Sequence, residues 1–486
     1  MPPMNDKDYI INVGPQGTFQ KSGKFQTVPE DIDRMFAAFE QQQVRKIGLY
    51  FHGGLVSEAR GLASAKNVSP YITNAGAAPV CFVWETGLIE TLSSNISKIS
   101  ETKLFNKLIR VLLKKITEKI GFDAPASRGI AGKGITDVEI DYELMQPDPF
   151  ENYSRSSRAE NARSAVNLSS LEGREMFIEA DLNREFQAMI ENDGEFVTAI
   201  QQTKLTTDAT GNSRGSRGII SVASFVTYVV KIAIRVISRF IRKRDHDLYP
   251  TIVEEILREF YIAELGAWVW KAMKDKAKDM WKSNDGRMGL NQYAGRYFLD
   301  KLAAYKQTHP DTRIHLIGHS AGSIVICHIL ESTATIPNRF AYDHIVFMAP
   351  ACRIDLFSEQ VVKNASRFND LRIFTMSDTF ECQDKLVPYF YTHSLLYLIA
   401  GILEDEGDSY DAYILGLERH ITYLTPYDID LLKDTHDYVY ADGQKRFSFS
   451  VTNNGTESGL RTSSESHGGF DDDIPTLESI QYILSN

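Results

Sequence analysis

Uninterrupted apolar runs recur along the chain, and each one ends at a glycine, a proline or an aspartate. They are "IGLYFHGGL" from Ile47, "APVCFVWETG" over Ala78–Gly87, "RIHLIGHSAG" over Arg313–Gly322, "HIVFMAP" from His344 and "LRIFTMSD" from Leu371. A strand buried on both faces reads as a continuous Val/Ile/Leu/Phe run, whereas a half-buried strand alternates. Helix-period stretches follow several of these runs, among them "SIVICHILEST", "SLLYLIAGILED" and the terminal "PTLESIQYILS". Strands alternating with helices predict an α/β fold with a doubly wound, mostly parallel sheet. Near the end, "YVYADGQKRFSFSV" predicts a hairpin around Asp442 and Gly443.

The strand-turn-helix rhythm stops at about Leu88 and resumes after Gly286. A gap of that length is too long for a loop inside a compact domain. It divides the chain into a core of residues 1–87 and 287–486 and a mainly helical insertion, or cap, of residues 88–286. Within the insertion, helices are expected at Lys103–Ile120, Glu172–Glu191, Gly218–Arg242 and Thr251–Trp281. Polar, glycine-rich links are expected around Ser127–Gly134 and Thr206–Gly218.

Composition narrows the class. In 486 residues, 43% are hydrophobic and 11% aromatic, ample for a large core. A net charge of -11 argues against general nucleic-acid binding. The four cysteines (Cys81, Cys327, Cys352, Cys382) are far apart and form no C-x-x-C, so buried free thiols are expected rather than disulfides or a metal site. The first residues, "MPPMNDKDYIINVG", contain no basic segment followed by an apolar run. The most apolar window, from Gly218, meets Lys231 well before the roughly 18–20 residues that a spanning helix needs. These features predict a soluble, cytoplasmic protein.

Two stretches fit G-x-S-x-G: "GNSRG" at Ser213 and "GHSAG" at Ser320. Ser213 sits in a polar linker with no apolar strand before it, and nothing there would hold it in a tight turn. Ser320 has a buried strand before it and a helix after it, with Gly318 and Gly322 allowing a sharp reversal. That order lifts the hydroxyl out of the sheet and leaves the N–H of Ala321 at a helix start. In "IHLIGHSAGSIVICHIL" and "YFHGGL" the chain resembles the α/β-hydrolases of the lipase and esterase type. The segments "HGGLVSE" and "SDTFECQD" also look similar to a poorly described group of bacterial hydrolases.

The resemblance implies a serine, then an acid, then a histidine, together with an oxyanion loop after an early strand. Ser320 would be the nucleophile. Ala321 and the "HGG" loop at Gly54 or Leu55 would supply the oxyanion donors, although the fuller H-G-G-G form is not met. Two aspartates compete for the acid. Asp378 ends the strand "LRIFTMSD", while Asp384 opens "DKLVP", which resembles the D-x-x-V-P of many esterases; strand-end position ranks Asp378 first. Of the histidines after the acid, His393 opens an apolar helix and His420 lies in strand-like "RHITYL". His436 lies in the charged "KDTHDYVY" and ranks second. His467, on a glycine-flanked loop before the last helix, ranks first.

The implied reaction is acyl transfer from an ester to water through an acyl-enzyme, and it requires no metal or cofactor. "KLFNKLIRVLLKKITEK" and "KIAIRVISRFIRKR" have the pattern of basic amphipathic helices that can lie on anionic membranes, or that can simply pack on a core. A lipid or long-chain ester is therefore one expected substrate and a small ester or thioester another. A hydrolase-fold protein that only binds a membrane or a partner is the reading of a different class.

Overall fold

The computed structural model describes residues 5–54, 56–84, 89–120, 134–151, 175–203, 221–262, 265, 267–334, 340–404, 411–443 and 445–486. Its chain forms two compact units. The first comprises Met1–Ile89, Trp268–Asp384 and Tyr413–Asn486, and the second Glu90–Ala267 and Lys385–Ala412. The expected insertion therefore ends earlier, at Ala267 rather than residue 286. The second unit also takes in Lys385–Ala412, which the sequence pattern assigns to the core.

The first unit is built on a seven-stranded sheet. Its strands are β1 (Ile10–Asn12), β2 (Lys46–Phe51), β3 (Ala78–Val83), β4 (Arg313–His319), β5 (Tyr342–Met348), β6 (Phe368–Met376) and β7 (Phe447–Ser450). Their order is β1-β3-β2-β4-β5-β6-β7, and every pairing is parallel. Both faces are covered, which explains the continuous apolar runs. On one face Tyr50, Cys81, Ile317, Val346 and Phe374 pack with Val68 and Ile72 of the helix Glu58–Asn74 and with Ile480 and Leu484 of the helix Ile474–Ser485. On the other, Phe51 stacks on Phe82, which meets Phe298 of the helix Ala294–Thr308 edge-on.

The expected hairpin is not formed. Residues Asp430–Val439 are a helix, Ala441–Gly443 a 3-10 turn, and β7 joins β6 in parallel. A helical crossover is what a parallel neighbour requires, so the "ADG" turn ends a helix instead of joining two antiparallel strands. "RHITYL" is likewise not a strand, since Glu418–Ile421 is a short helix.

The second unit is helical among the described residues. Lys103–Ile120 has the bounds expected from sequence. Glu175–Glu191 and Val222–Ile241 lie inside the predicted spans. The long stretch from Thr251 is two helices, Leu248–Phe260 in this unit and Ala267–Asp279, which from Trp268 onward belongs to the first. Val222–Ile241 packs against Lys103–Ile120, Glu175–Glu191 and Leu248–Phe260, with Phe225 stacked on Phe260 at 5.2 Å. The links around Ser127–Gly134 and Thr206–Gly218, except Gly134, lie outside the described residues, and so does Ser213.

Most basic residues of these helices meet carboxylates. Lys107 pairs with Asp193 at 2.7 Å, Lys114 with Asp137 at 2.8 Å, and Lys115 and Lys119 each with Glu185 at 3.0 Å. Lys231 and Arg235 pair with Glu259 at 3.0 and 2.9 Å. Arg239, fully buried, lies between Glu254 at 2.7 Å and Glu255 at 3.1 Å. Among the described residues, no helix is long and apolar enough to cross a membrane.

Candidate functional site

The strand order sets where a crevice can form. From β2 the chain moves to β3 on one side, and β4 then adds to β2 on the other. In open parallel sheets, such a reversal leaves a cleft at the carboxyl ends of the two strands. Here those ends carry "HGG" after β2 and "HSAG" after β4, with Phe51 in register with Gly318.

Ser320 sits between β4 and the helix Gly322–Ser332 at φ 50°, in the left-handed region. An L-residue in that region costs energy, so its surroundings must hold it there. The Ser320 N–H donates to the Met348 carbonyl at 2.8 Å. Its own carbonyl accepts from Ala351 N–H at 3.1 Å, Ser323 N–H at 3.0 Å and the Ser323 hydroxyl at 2.6 Å. The flanking glycines are steric requirements. A Cβ on Gly318 would lie 2.8 Å from the Gly322 carbonyl carbon, and one on Gly322 would collide with the Phe51 carbonyl. Among the described residues the Ala321 N–H donates to no acceptor, and it stands at the partly positive start of a helix.

The "HGG" loop lies against this turn. A Cβ on Gly54 would fall 2.8 Å from the Ala321 Cβ and would collide with Met273 Sδ, so only glycine allows this approach. Leu55 lies outside the described residues. His52 fastens the loop to the end of β3. Its Nε2 accepts from Trp84 N–H at 3.1 Å, and the Trp84 indole N–H donates to the His52 carbonyl at 3.2 Å. Burial brings the His52 imidazole down to about 4, so it is neutral.

His467 begins a 3-10 turn, His467–Gly469, ahead of the last helix. The approach to that turn is pinned by Ser463, whose N–H donates to Asp473 at 2.9 Å. The Nε2 of His467 is 2.9 Å from Ser320 Oγ, and both residues are buried. Burial first, then the nearby His319, lowers the His467 imidazole to about 3, opposed by Asp471. For Nε2 to accept the serine proton, Nδ1 must carry the other hydrogen, yet buried Nδ1 has no partner among the described residues.

The two aspartates part company. Asp378 does not go to His467. It starts the helix Asp378–Gln383, its N–H donates to Glu418 at 2.7 Å, and its carboxylate is paired with Arg419 at 3.2 Å. The guanidinium is the stronger attraction for an ionised strand-end carboxylate. Asp384 is the carboxylate that meets His467, accepting its main-chain N–H at 2.7 Å. Burial raises the Asp384 carboxyl, and that hydrogen bond opposes the rise. His436 lies on the helix Asp430–Val439 with its ring beside Tyr423 and Tyr440. His393 belongs to the second unit.

Two further residues meet the site that sequence reasoning does not single out. His319, the residue before Ser320, donates from Nε2 to the His467 carbonyl at 2.9 Å. Its Nδ1 is 3.5 Å from the carboxylate of Asp471, which accepts from the Tyr50 hydroxyl at 3.3 Å and from the Ser64 hydroxyl. In the sequence, His319 is only the variable position of a motif, and Asp471 only one of three aspartates in "FDDD".

A buried serine hydroxyl on a neutral imidazole, beside a free N–H at a helix start, can lose its proton to the ring as it attacks an electrophilic carbon. No family model matches the chain, and no curated protein and no solved structure was found similar to it.

Proposed function

We propose that this protein is a serine hydrolase of carboxylic esters, with the first unit an α/β-hydrolase-type core and the second a cap. The observation that carries the reading is the 2.9 Å approach of His467 Nε2 to Ser320 Oγ, with Ser320 held at φ 50° between strand and helix. An ordinary strand-to-helix turn gains nothing from a strained serine facing a buried neutral imidazole.

The steps follow from those positions. Ser320 Oγ attacks the ester carbonyl as His467 Nε2 takes its proton, and the carbonyl π electrons move to oxygen. The N–H of Ala321, with one from the loop at Gly54, stabilises that oxyanion; each donor is worth roughly 3–4 kcal/mol of barrier. Collapse expels the alkoxide, which takes the proton from His467 and leaves an acyl-Ser320. Water then attacks the acyl carbon, His467 accepts the water's proton, and the carboxylic acid leaves as Ser320 is reprotonated. Asp384 is the acid in this mechanism. Its carboxylate holds the His467 main-chain N–H, and the His467 Nδ1–H lacks an acceptor among the described residues.

For the substrate, a small or medium acyl ester is favoured over a membrane lipid, because most of the basic residues on the helices that suggested a membrane surface are paired with Asp and Glu. A series of p-nitrophenyl esters of increasing chain length, run with and without anionic vesicles, tests this. The expected result is hydrolysis with an initial burst of p-nitrophenol, a preference for the shorter chains and no stimulation by vesicles. Activity confined to long chains on vesicles would restore the lipid reading.

A further inference from the structure

We propose that His319 and Asp471 form a positioning pair for the base: His319, as an imidazolium held on Asp471, grips the main-chain carbonyl of His467 and so fixes the ring that meets Ser320. This rests on the reading of His467 as the base.

The charge state of His319 follows from its partners. A carbonyl oxygen only accepts, so the Nε2 that lies 2.9 Å from the His467 carbonyl must carry a hydrogen. In a neutral ring Nδ1 would then present a lone pair to the Asp471 carboxylate 3.5 Å away, which is repulsive. Protonating Nδ1 turns that contact into an ion pair. Asp471 is suited to the role, because Tyr50 and Ser64 both donate to it and so favour its ionised form.

The remaining charged groups around the pair agree. Burial alone would strip the proton from His319, but Asp471, the His467 carbonyl and Asp472 outweigh it and hold the imidazole above its ordinary value. Asp471 is held far below the usual carboxylate range, with His319 and the Ser64 hydroxyl overcoming its burial. His52 is itself neutral, and burial, His319 and Lys276 all keep it so. Asp384 faces His467 from the other side through its N–H.

The mechanical consequence concerns the turn that carries the base. Gly468 and Gly469 follow His467 and impose little on its backbone. Gripping the N–H through Asp384 and the carbonyl through His319 fixes both peptide groups that flank the ring. The cation 5.7 Å from the His467 ring, centroid to centroid, also disfavours a second positive charge there, which keeps the base neutral.

The test uses the full chain with histidines labelled by nitrogen-15, their ring signals assigned through single His→Gln variants. At pH 7 both nitrogens of His319 should be protonated and His467 should be neutral, with a titration midpoint below about pH 5. In Asp471→Asn, His319 should lose one proton at pH 7. In His319→Gln, which keeps an N–H for the carbonyl, the His467 midpoint should rise by about one pH unit. On esters, His319→Leu should lower kcat on the order of 100-fold with KM little changed, and His319→Gln should recover most of that loss. A neutral His319 at pH 7, an unmoved His467 midpoint in His319→Gln, or equal kcat in the Leu and Gln variants would overturn the proposal. The nitrogen signals need no turnover. An unreactive wild type with the expected signals therefore retires the hydrolase reading alone, while active wild type with a neutral His319 retires this one alone.

Discussion

At the scale of single residues, the decisive question is which carboxylate serves His467. In a Ser-His-acid arrangement the acid holds the tautomer with Nδ1 protonated and stabilises the imidazolium, and its removal costs up to about 10⁴ in kcat. Asp384 accepts the main-chain N–H of His467, and Asp378 is paired with Arg419. Asp384→Asn is therefore expected to lower kcat at least ~100-fold, while Asp378→Asn stays within about fivefold of wild type and loses some thermal stability. Steady-state kinetics and melting curves on both variants check this, and the reverse ranking would return the role to Asp378. Sequence could not decide between them. Both follow β6 closely, and what separates them is Arg419, far along the chain, which pairs with one and not the other. Ser320 and His467 were legible because each is flagged by its own neighbours, a strand-glycine-helix turn and a glycine-flanked loop. His319 and Asp471 were not, since no local pattern links two residues that far apart in the chain.

At the scale of elements, β4, its turn and the helix Gly322–Ser332 are joined by close backbone contacts. The turn works only while its glycines let the helix start lie on the end of β2. Gly322→Ala would press a methyl into the Phe51 carbonyl, a backbone atom that cannot yield without moving β2. We expect it to destabilise the protein by about 2–4 kcal/mol and to abolish activity. Urea unfolding measures the first, and an unchanged midpoint would show that the close approach is not required. The five central strands were legible because burial on both faces leaves continuous apolar runs. Of the edge strands, β1 was not, and β7 was legible as a strand but with the wrong, hairpin partner. β1 is three residues long, and β7, "FSFS", alternates as an edge strand does, after a turn whose composition mimics a hairpin.

For the whole molecule, the first unit encloses a set of neutral histidines. His52, His315, His328, His344 and His467 are all lowered from the ordinary value, foremost by burial, with His52 at about 4 and His315 and His467 at about 3. His319 is raised. The unfolded chain binds protons at the five lowered residues near pH 6.5, whereas in the folded chain all five take them up at lower pH, His52 at about 4 and His315 and His467 at about 3. Stability is then fully present above about pH 6.5 and falls as the pH drops through that window. Each site contributes about 1.4 kcal/mol for every tenfold difference in proton affinity between the folded and unfolded chain. His319 works the other way, as one group against five. The urea midpoint should decline steadily from about pH 7 to about pH 4.5, and a flat midpoint would mean that the histidines are solvated. If His467 is the base of an ester hydrolase, as proposed, hydrolysis by the folded fraction should persist across the same range, because its imidazole stays neutral there.

Whether Ser320 is a nucleophile activated by His467 is tested most directly with a fluorophosphonate probe. Intact-mass and peptide analysis of the treated protein should show one adduct, on Ser320, absent from Ser320→Ala and much slower to form in His467→Ala. No adduct on the folded wild-type chain, or an adduct that persists in Ser320→Ala, would contradict it.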